Sequence, residues 1–119
     1  MEWKLTDDRP IWLQLTEQLT RRIITGVYPP GSKLPPVREL AAEAGVNPNT
    51  MQRALAQLEQ DGLAKADRTA GRLVTQDTSV LDGVRRAQAQ VVIGGYFDAM
   101  AELGYSRCEA AAFIKEEEQ

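Results

Sequence analysis

The sequence predicts a mainly α fold that contains one small β-hairpin. Two amphipathic segments joined across a short glycine-containing turn are followed by a pair of short strand-like segments, and a long apolar-rich segment occupies the last third of the chain. This order indicates an N-terminal winged helix-turn-helix at 1–76 and a two-helix C-terminal tail at 77–119.

The composition is that of an ordinary globular protein: 119 residues, of which 43% are hydrophobic and 26% are charged. No apolar run reaches the length that spans a bilayer, and the N-terminus lacks the apolar core of a secretory signal. We therefore expect a soluble, cytoplasmic protein that does not enter membranes.

The residues that are missing exclude several kinds of chemistry. The chain has no histidine and one cysteine, so a Cys/His zinc site and Ser-His or Cys-His catalysis cannot form. We expect no enzyme activity and assign no catalytic residue, metal or cofactor. Cys108 lies in a predicted helix beside alanines, where we expect a buried packing thiol.

The first predicted helix begins at Pro10, where the missing N–H costs nothing. Apolar residues recur at every fourth position from Ile11 to Ile23, which is typical of one buried helix face. The helix is expected to run to about Thr25 and to end at Gly26.

The second predicted helix spans about Val37–Ala44, with Gly45 at its end. The third follows after only three residues, with Asn47 as N-cap and Pro48 in its first turn, and stops near residue 61. Its buried face is expected to comprise four apolar residues at helical spacing: Met51, Ala54, Leu55 and Leu58.

A hairpin is expected from 63–66 and 72–75, around a turn at 67–71. A long helix then extends from about Ser79 to Leu103. Ser106 and Glu109 form an S-x-x-E capping box that starts the last helix, whose end at 115–119 is expected to fray.

The side of the third helix opposite its apolar face carries Asn49, Gln52 and Arg53. The N-terminal part of this helix enters the major groove in a helix-turn-helix, where Asn and Gln suit adenine and Arg suits guanine. These residues predict base-specific binding to double-stranded DNA. A merely solvated face is the alternative.

Other residues suit the DNA backbone. Asn47 and Thr50 flank the reading face, and Arg38 lies in the first turn of the preceding helix. A helix cap alone is the alternative for Asn47. Arg68 and Arg72 on the hairpin are candidates for backbone or minor-groove contacts. Three other basic residues, Lys4, Arg21 and Arg22, are expected to be surface charges.

The net charge of −3 is unevenly distributed. Residues 1–76 hold ten Lys and Arg against nine Asp and Glu, whereas residues 77–119 hold four against eight. The acidity therefore lies mainly in the tail, which leaves the first half free to present a local basic face.

The segments 10–15, 23–41, 45–54 and 58–63 together resemble the GntR family of bacterial regulators, and the Asn-Pro-Asn-Thr helix start with the short tail resembles its YtrA-like branch. The resemblance implies a homodimer formed by the tail helices and a repressor, since members of this branch often repress transporter operons. A two-fold dimer doubles the number of bases read on a palindromic operator, so we expect such a site. It places the DNA-contacting positions at Arg38, Asn47, Asn49, Thr50, Gln52 and Arg53. Two features depart from the family. Pro48 replaces a frequent arginine, and the wing, which is the hairpin predicted at 63–75, keeps only Gly71 and Val74 of the usual family pattern.

The apolar segment Val91–Phe97 requires a partner surface. Gly94 and Gly95 would permit close approach of a second helix, or alternatively kink the helix back onto its own domain. The residues assigned to dimerisation are Val84, Val91, Val92, Ile93, Tyr96, Phe97 and Phe113.

Two other functions compete with this interpretation. One is a fragment of an enzyme in which a similar DNA-binding head precedes an aminotransferase-like domain, but nothing in 77–119 resembles that domain and the acidic end suggests a finished chain. The other is a winged helix that binds only proteins, which would favour apolar or acidic residues in place of Asn49, Gln52 and Arg53. No small-molecule effector is assigned, because about 43 residues after the wing scarcely enclose a pocket by themselves. A ligand site at a dimer interface is the alternative.

Overall fold

The computed structural model of the protein describes residues 2–118 and divides them into two units, one ending at Gly83 and one starting at Val84. The elements are α1 (Ile11–Ile24), α2 (Val37–Ala44), α3 (Pro48–Gln60), β1 (Ala64–Asp67), β2 (Gly71–Val74), α4 (Thr78–Glu102) and α5 (Arg107–Glu117). The predicted class, mainly α with one hairpin, is confirmed. The division between units falls later than residue 76, because the first turns of α4, including the buried Leu81, belong to the first unit.

The core of the first unit lies where α1 and α3 pack together. The stripe predicted on α1 is buried at Leu15, Leu19 and Ile23. All four apolar residues predicted for α3 are at most 1% exposed. Helical periodicity alone therefore identified the two faces that meet in the core.

The connection between α2 and α3 depends on Gly45, which takes the left-handed conformation at φ +72°. An L-residue with a side chain pays a steric cost there, so glycine suits this sharp turn. Asn47 then caps α3: its Oδ1 accepts a hydrogen bond of 2.8 Å from the backbone N–H of Asn49. Both predicted signals are confirmed.

The hairpin is antiparallel, with Ala64 opposite Val74 and Asp67 opposite Gly71. Asp67 organises its tip, because its Oδ1 accepts from the backbone N–H and hydroxyl of Thr69 and from the N–H of Ala70, at 2.8 to 3.0 Å. Residues 31–34 hydrogen-bond along the other edge of β2 and connect the wing to the segment before α2.

Arg22 is buried, so its prediction as a surface charge is wrong. Only 4% of it is exposed, and its Nη1 donates to Tyr28 Oη at 2.7 Å and to Glu43 Oε1 at 3.1 Å. The indole of Trp3 covers the guanidinium, with Cζ 4.1 Å from the ring centroid. Burial is favourable here because the charge is paired and stacked.

The extended residues before α1 are held by two glutamine side chains that act like a neighbouring strand. Gln14 is buried and bonds to the backbone N–H and carbonyl of Thr6 and to the carbonyl of Arg9, each at 2.8 Å. Gln18 bonds in the same way to both backbone groups of Lys4. These hydrogen bonds therefore hold the extended N-terminal segment against α1.

In the second unit, α5 packs on the later part of α4. Tyr96 Oη donates to the carbonyl of Ala110 at 2.7 Å, and Ala110 is the one buried residue among 84–118. The predicted capping box of Ser106 and Glu109 is confirmed.

Two predictions about α5 are wrong. Cys108 is exposed, because the helix buries little more than the position of Ala110. Residues 115–117 also continue the helix and do not fray, whereas residue 119 lies outside the described part.

Candidate nucleic-acid interface

The outward side of α3 carries the predicted base-reading residues. Asn49, Gln52 and Arg53 are exposed, and so is Ala56 one turn further along, whereas the opposite side of the helix is buried. A helix that packs against the core along one face and is exposed along the other can enter the major groove of DNA while the domain stays folded. The structure therefore brings the three side chains together on one accessible surface.

The start of α3 is shaped by the cap. Because Oδ1 of Asn47 already accepts the N–H of Asn49, a phosphate contact by this side chain would use its Nδ2 group. Thr50 is half-buried beside the exposed face. The cap interpretation of Asn47 is thus confirmed, and it does not exclude the phosphate contact.

Arg53 does not extend freely into solvent. Its Cζ lies 4.1 Å from the centroid of the Trp12 ring on α1. No role was predicted for Trp12, since nothing in the spacing of α1 and α3 shows which residues of the two helices meet. Arg38, in the first turn of α2, is exposed as a backbone contact requires.

The two wing arginines differ in their surroundings. Arg68 is exposed at the tip, next to the turn that Asp67 organises. Arg72 is half-buried, and its Nε donates to Glu59 Oε1 of α3 at 2.5 Å. Arg72 therefore ties the wing to α3, a role that the sequence analysis did not assign to it.

Residues predicted to form a dimer fall into two groups. Val91 and Val92 are 74% and 69% exposed, and Ile93 and Phe113 are exposed as well. The half-buried group already has contacts within its own chain: Tyr96 bonds to α5, and Phe97 lies 4.1 Å beneath the guanidinium carbon of Arg107. Val84 is also half-buried. Other large apolar residues of this unit, not predicted, are exposed too: Leu103, Tyr105 and Ile114.

Between residues 2 and 118 no group of His, Cys, Asp and Glu is arranged to hold a metal ion. Within the same residues no helix is long and apolar enough to cross a membrane.

Solved structures with the same architecture include a GntR family transcriptional regulator from Listeria monocytogenes, which is 32% identical with a TM-score of 0.84 and matches over 94% of this chain and 98% of its own. The DNA-binding domain of AraR in complex with operator ORE1 matches 63% of this chain and 94% of its own, at 26% identity and a TM-score of 0.54.

Curated relatives cover most of the chain. The uncharacterized HTH-type transcriptional regulator YhcF of Bacillus subtilis is 32% identical over 97% of this chain and 95% of its own length. The HTH-type transcriptional repressor YtrA of the same organism is 31% identical over 74% of this chain and 72% of its own. YtrA-type regulators are thus among its relatives, as the helix start and the short tail predicted.

The family model "Bacterial regulatory proteins, gntR family" matches residues 12–74, from α1 to the end of the wing. The relatives named above are described as transcriptional regulators. The chain belongs to the GntR family and is a transcriptional regulator that carries the DNA-binding domain of that family.

Proposed function

We propose that this regulator is a repressor that binds a palindromic operator as a homodimer, in the cytoplasm, and reads bases through Asn49, Gln52 and Arg53. The observation that carries the proposal is the amphipathic character of α3. Its apolar face is buried in the core, and these three side chains lie together on the opposite, exposed face. Amide and guanidinium groups are the side chains that pair with adenine and guanine edges.

Around this face, exposed cations are placed to contact phosphates. Arg38 lies at the start of α2 and Arg68 at the tip of the wing, and both are exposed. The N-terminus of α3 adds the positive end of a helix dipole next to the Nδ2 group of Asn47 and the hydroxyl of Thr50. Contacts of this kind orient the domain on the duplex and carry no base information themselves.

The dimer is supported by the apolar surface of the second unit. Val91, Val92 and Ile93 occupy consecutive positions of α4 and are each at least 49% exposed. Adjacent exposed valines and isoleucines on a helix are costly in water and mark an interaction surface. A two-fold dimer also doubles the number of bases read, on half-sites related by the same symmetry.

The proposal that the protein represses transcription, rather than activates it, is supported by its relative YtrA, which is named as a transcriptional repressor. It is tested by placing a selected operator upstream of a reporter gene and expressing the regulator with it. Lower reporter output supports repression, and higher output contradicts it.

DNA recognition is tested by selecting bound sequences from a random pool with the purified protein. We expect a palindromic consensus, and Gln52→Ala should lose about 1–3 kcal/mol of discrimination at one position of each half-site. Arg38→Ala should weaken binding to all sequences alike and reduce the slope of log affinity against log salt by about 1. Binding without any sequence preference would contradict the proposal.

Self-association is tested with Val91→Glu and Ile93→Glu, which place a charge in the proposed interface. We expect monomers by sedimentation and weaker operator binding. The matched control is Gln90→Glu, which adds the same charge at the neighbouring exposed position. An unchanged dimer mass for the two apolar variants would rule out this surface.

A further inference from the structure

We propose that Trp12 is a positioning residue that contributes to DNA specificity through Arg53, by holding the Arg53 guanidinium flat and pre-oriented for a base edge. This inference rests on the proposed reading of DNA by α3. It assigns a part in recognition to α1, a helix that contributes none of the base-reading side chains named above.

The first argument is the asymmetry between Arg53 and the other arginines that make close contacts in this domain. Arg9, Arg22 and Arg72 each form an ion pair with a glutamate. Arg53 forms no ion pair and donates no hydrogen bond within residues 2–118, and its close partner is the face of an indole ring. Its N–H groups are therefore not satisfied by the protein itself.

The second argument concerns what stacking leaves available. A guanidinium that lies on a ring uses its flat face, and its N–H donors point outward in the plane. Recognition of guanine requires two of these donors side by side, directed at N7 and O6. Arg53 is exposed although it is stacked, so its edge remains open to solvent.

The third argument is that the Trp12 ring, on which Arg53 stacks, is held in place by the packing of α1. Trp12 is half-buried near the start of α1, and Gln14 and Leu15 of the same helical turn are at most 2% exposed. The ring is thus attached to the best-packed helix of the domain. A long side chain that is ordered before binding loses less conformational freedom when it binds.

The contact itself is tested without DNA. The chain has two tryptophans, so Trp3→Phe leaves Trp12 as the single indole fluorophore. In that background, Arg53→Ala should shift or change the emission of Trp12, whereas Gln52→Ala, on the same exposed face, should not. Identical spectra for all three proteins would overturn the inference, whatever the outcome with DNA.

The role in recognition is tested with Trp12→Leu and Trp12→Phe on the selected operator. Trp12→Leu should weaken specific binding by about two- to tenfold and reduce discrimination at the position that Arg53 reads, with little effect on non-specific DNA. Trp12→Phe, which keeps a ring face, should recover part of the loss. Urea unfolding of each variant shows whether the domain stays folded at the assay temperature.

A double-mutant cycle separates positioning from a general effect on the fold. If Trp12 acts through Arg53, Trp12→Leu should add almost no further loss to Arg53→Ala. Fully additive losses, or an Arg53→Ala variant with unchanged base preference, would overturn the inference while Asn49 and Gln52 still read the operator. A wild-type protein without sequence preference would instead overturn the proposed function.

Discussion

Arg72 of the wing and Glu59 of α3 form an ion pair in which Nε and Oε1 are 2.5 Å apart, and both side chains are largely shielded, at 19% and 33% exposed. The pair joins the hairpin to α3, the helix that carries the proposed base-reading face. It therefore helps to fix the position of the wing relative to that face, and the contact of Arg72 with DNA stays a prediction.

We expect a double-mutant cycle of Arg72→Ala and Glu59→Ala to give a coupling free energy of about 1 kcal/mol in urea unfolding, because shielding from water strengthens an ion pair. The control is the pair Arg9–Glu17, whose side chains are 47% and 48% exposed. Its coupling should lie nearer zero. Equal coupling for both pairs would contradict the importance of shielding here.

Neighbouring arginines on α1 should respond differently to substitution. Arg22→Ala removes the hydrogen bonds to Tyr28 and Glu43 and the stack on Trp3, and we expect it to lower the free energy of unfolding by about 1–3 kcal/mol. Arg21→Ala, at an exposed position, should change it by less than about 0.5 kcal/mol. Similar losses for the two variants, measured by urea unfolding, would contradict the role assigned to Arg22.

The wing tip should be sensitive to acid. Hydrogen bonds from the N–H and hydroxyl of Thr69 and from the N–H of Ala70 hold the pKa of Asp67 below its ordinary value. Since the folded pKa is the lower one, the stabilisation is complete above the unfolded value of about 3.9 and is lost as the pH falls through the folded pKa.

Amide chemical shifts of Thr69 and Ala70, followed by NMR during acidification, measure this transition. We expect both amides to titrate with a midpoint below the ordinary value for aspartate. In Asp67→Asn that transition should disappear. A midpoint at the ordinary value would show that the turn does not stabilise the carboxylate.

Gly94 distinguishes the two explanations offered for the glycine pair of α4. The helix continues unbroken through Gly94 and Gly95, and apart from the adjoining residues and backbone of its own helix, a methyl group on either would meet no atom of the described chain within 4 Å. In the isolated chain, Gly94→Ala should therefore stabilise α4, by up to about 1 kcal/mol of helix propensity.

If a second copy approaches closely at this point, Gly94→Ala should weaken the dimer while it raises helix content. Sedimentation and circular dichroism measure the two effects, and Gly83→Ala, another glycine of α4 with open space around it, is the matched control. A dimer as strong as the wild type would argue against close approach at Gly94.

Elements of this fold were predictable because their signals are local. Periodic apolar residues, the Asn47 cap, the Gly45 turn and the capping box at Ser106 each act within a few residues of the chain, and the structure contains all of them. The exposed face of α3 followed from the same periodicity, since knowing the buried side of a helix identifies the opposite side.

What the sequence did not reveal depends on partners that are distant in the chain. Burial of Arg22 requires Trp3, Tyr28 and Glu43 to converge from different segments, and the stack of Arg53 on Trp12 requires α1 and α3 to meet at one register. Exposure of Cys108 depends on how few residues of α4 pack against α5. None of these contacts has a local signature.

The second unit has a sparse interior, where Ala110 is the one buried residue among 84–118, and this would have a cellular consequence in the proposed homodimer. If association supplies the missing apolar contacts, the fraction of intact regulator depends on its abundance. Newly made chains that have not yet met a partner would then be the preferred substrates of proteases. Turnover of the unpaired chain would make gene control respond steeply to the rate of synthesis.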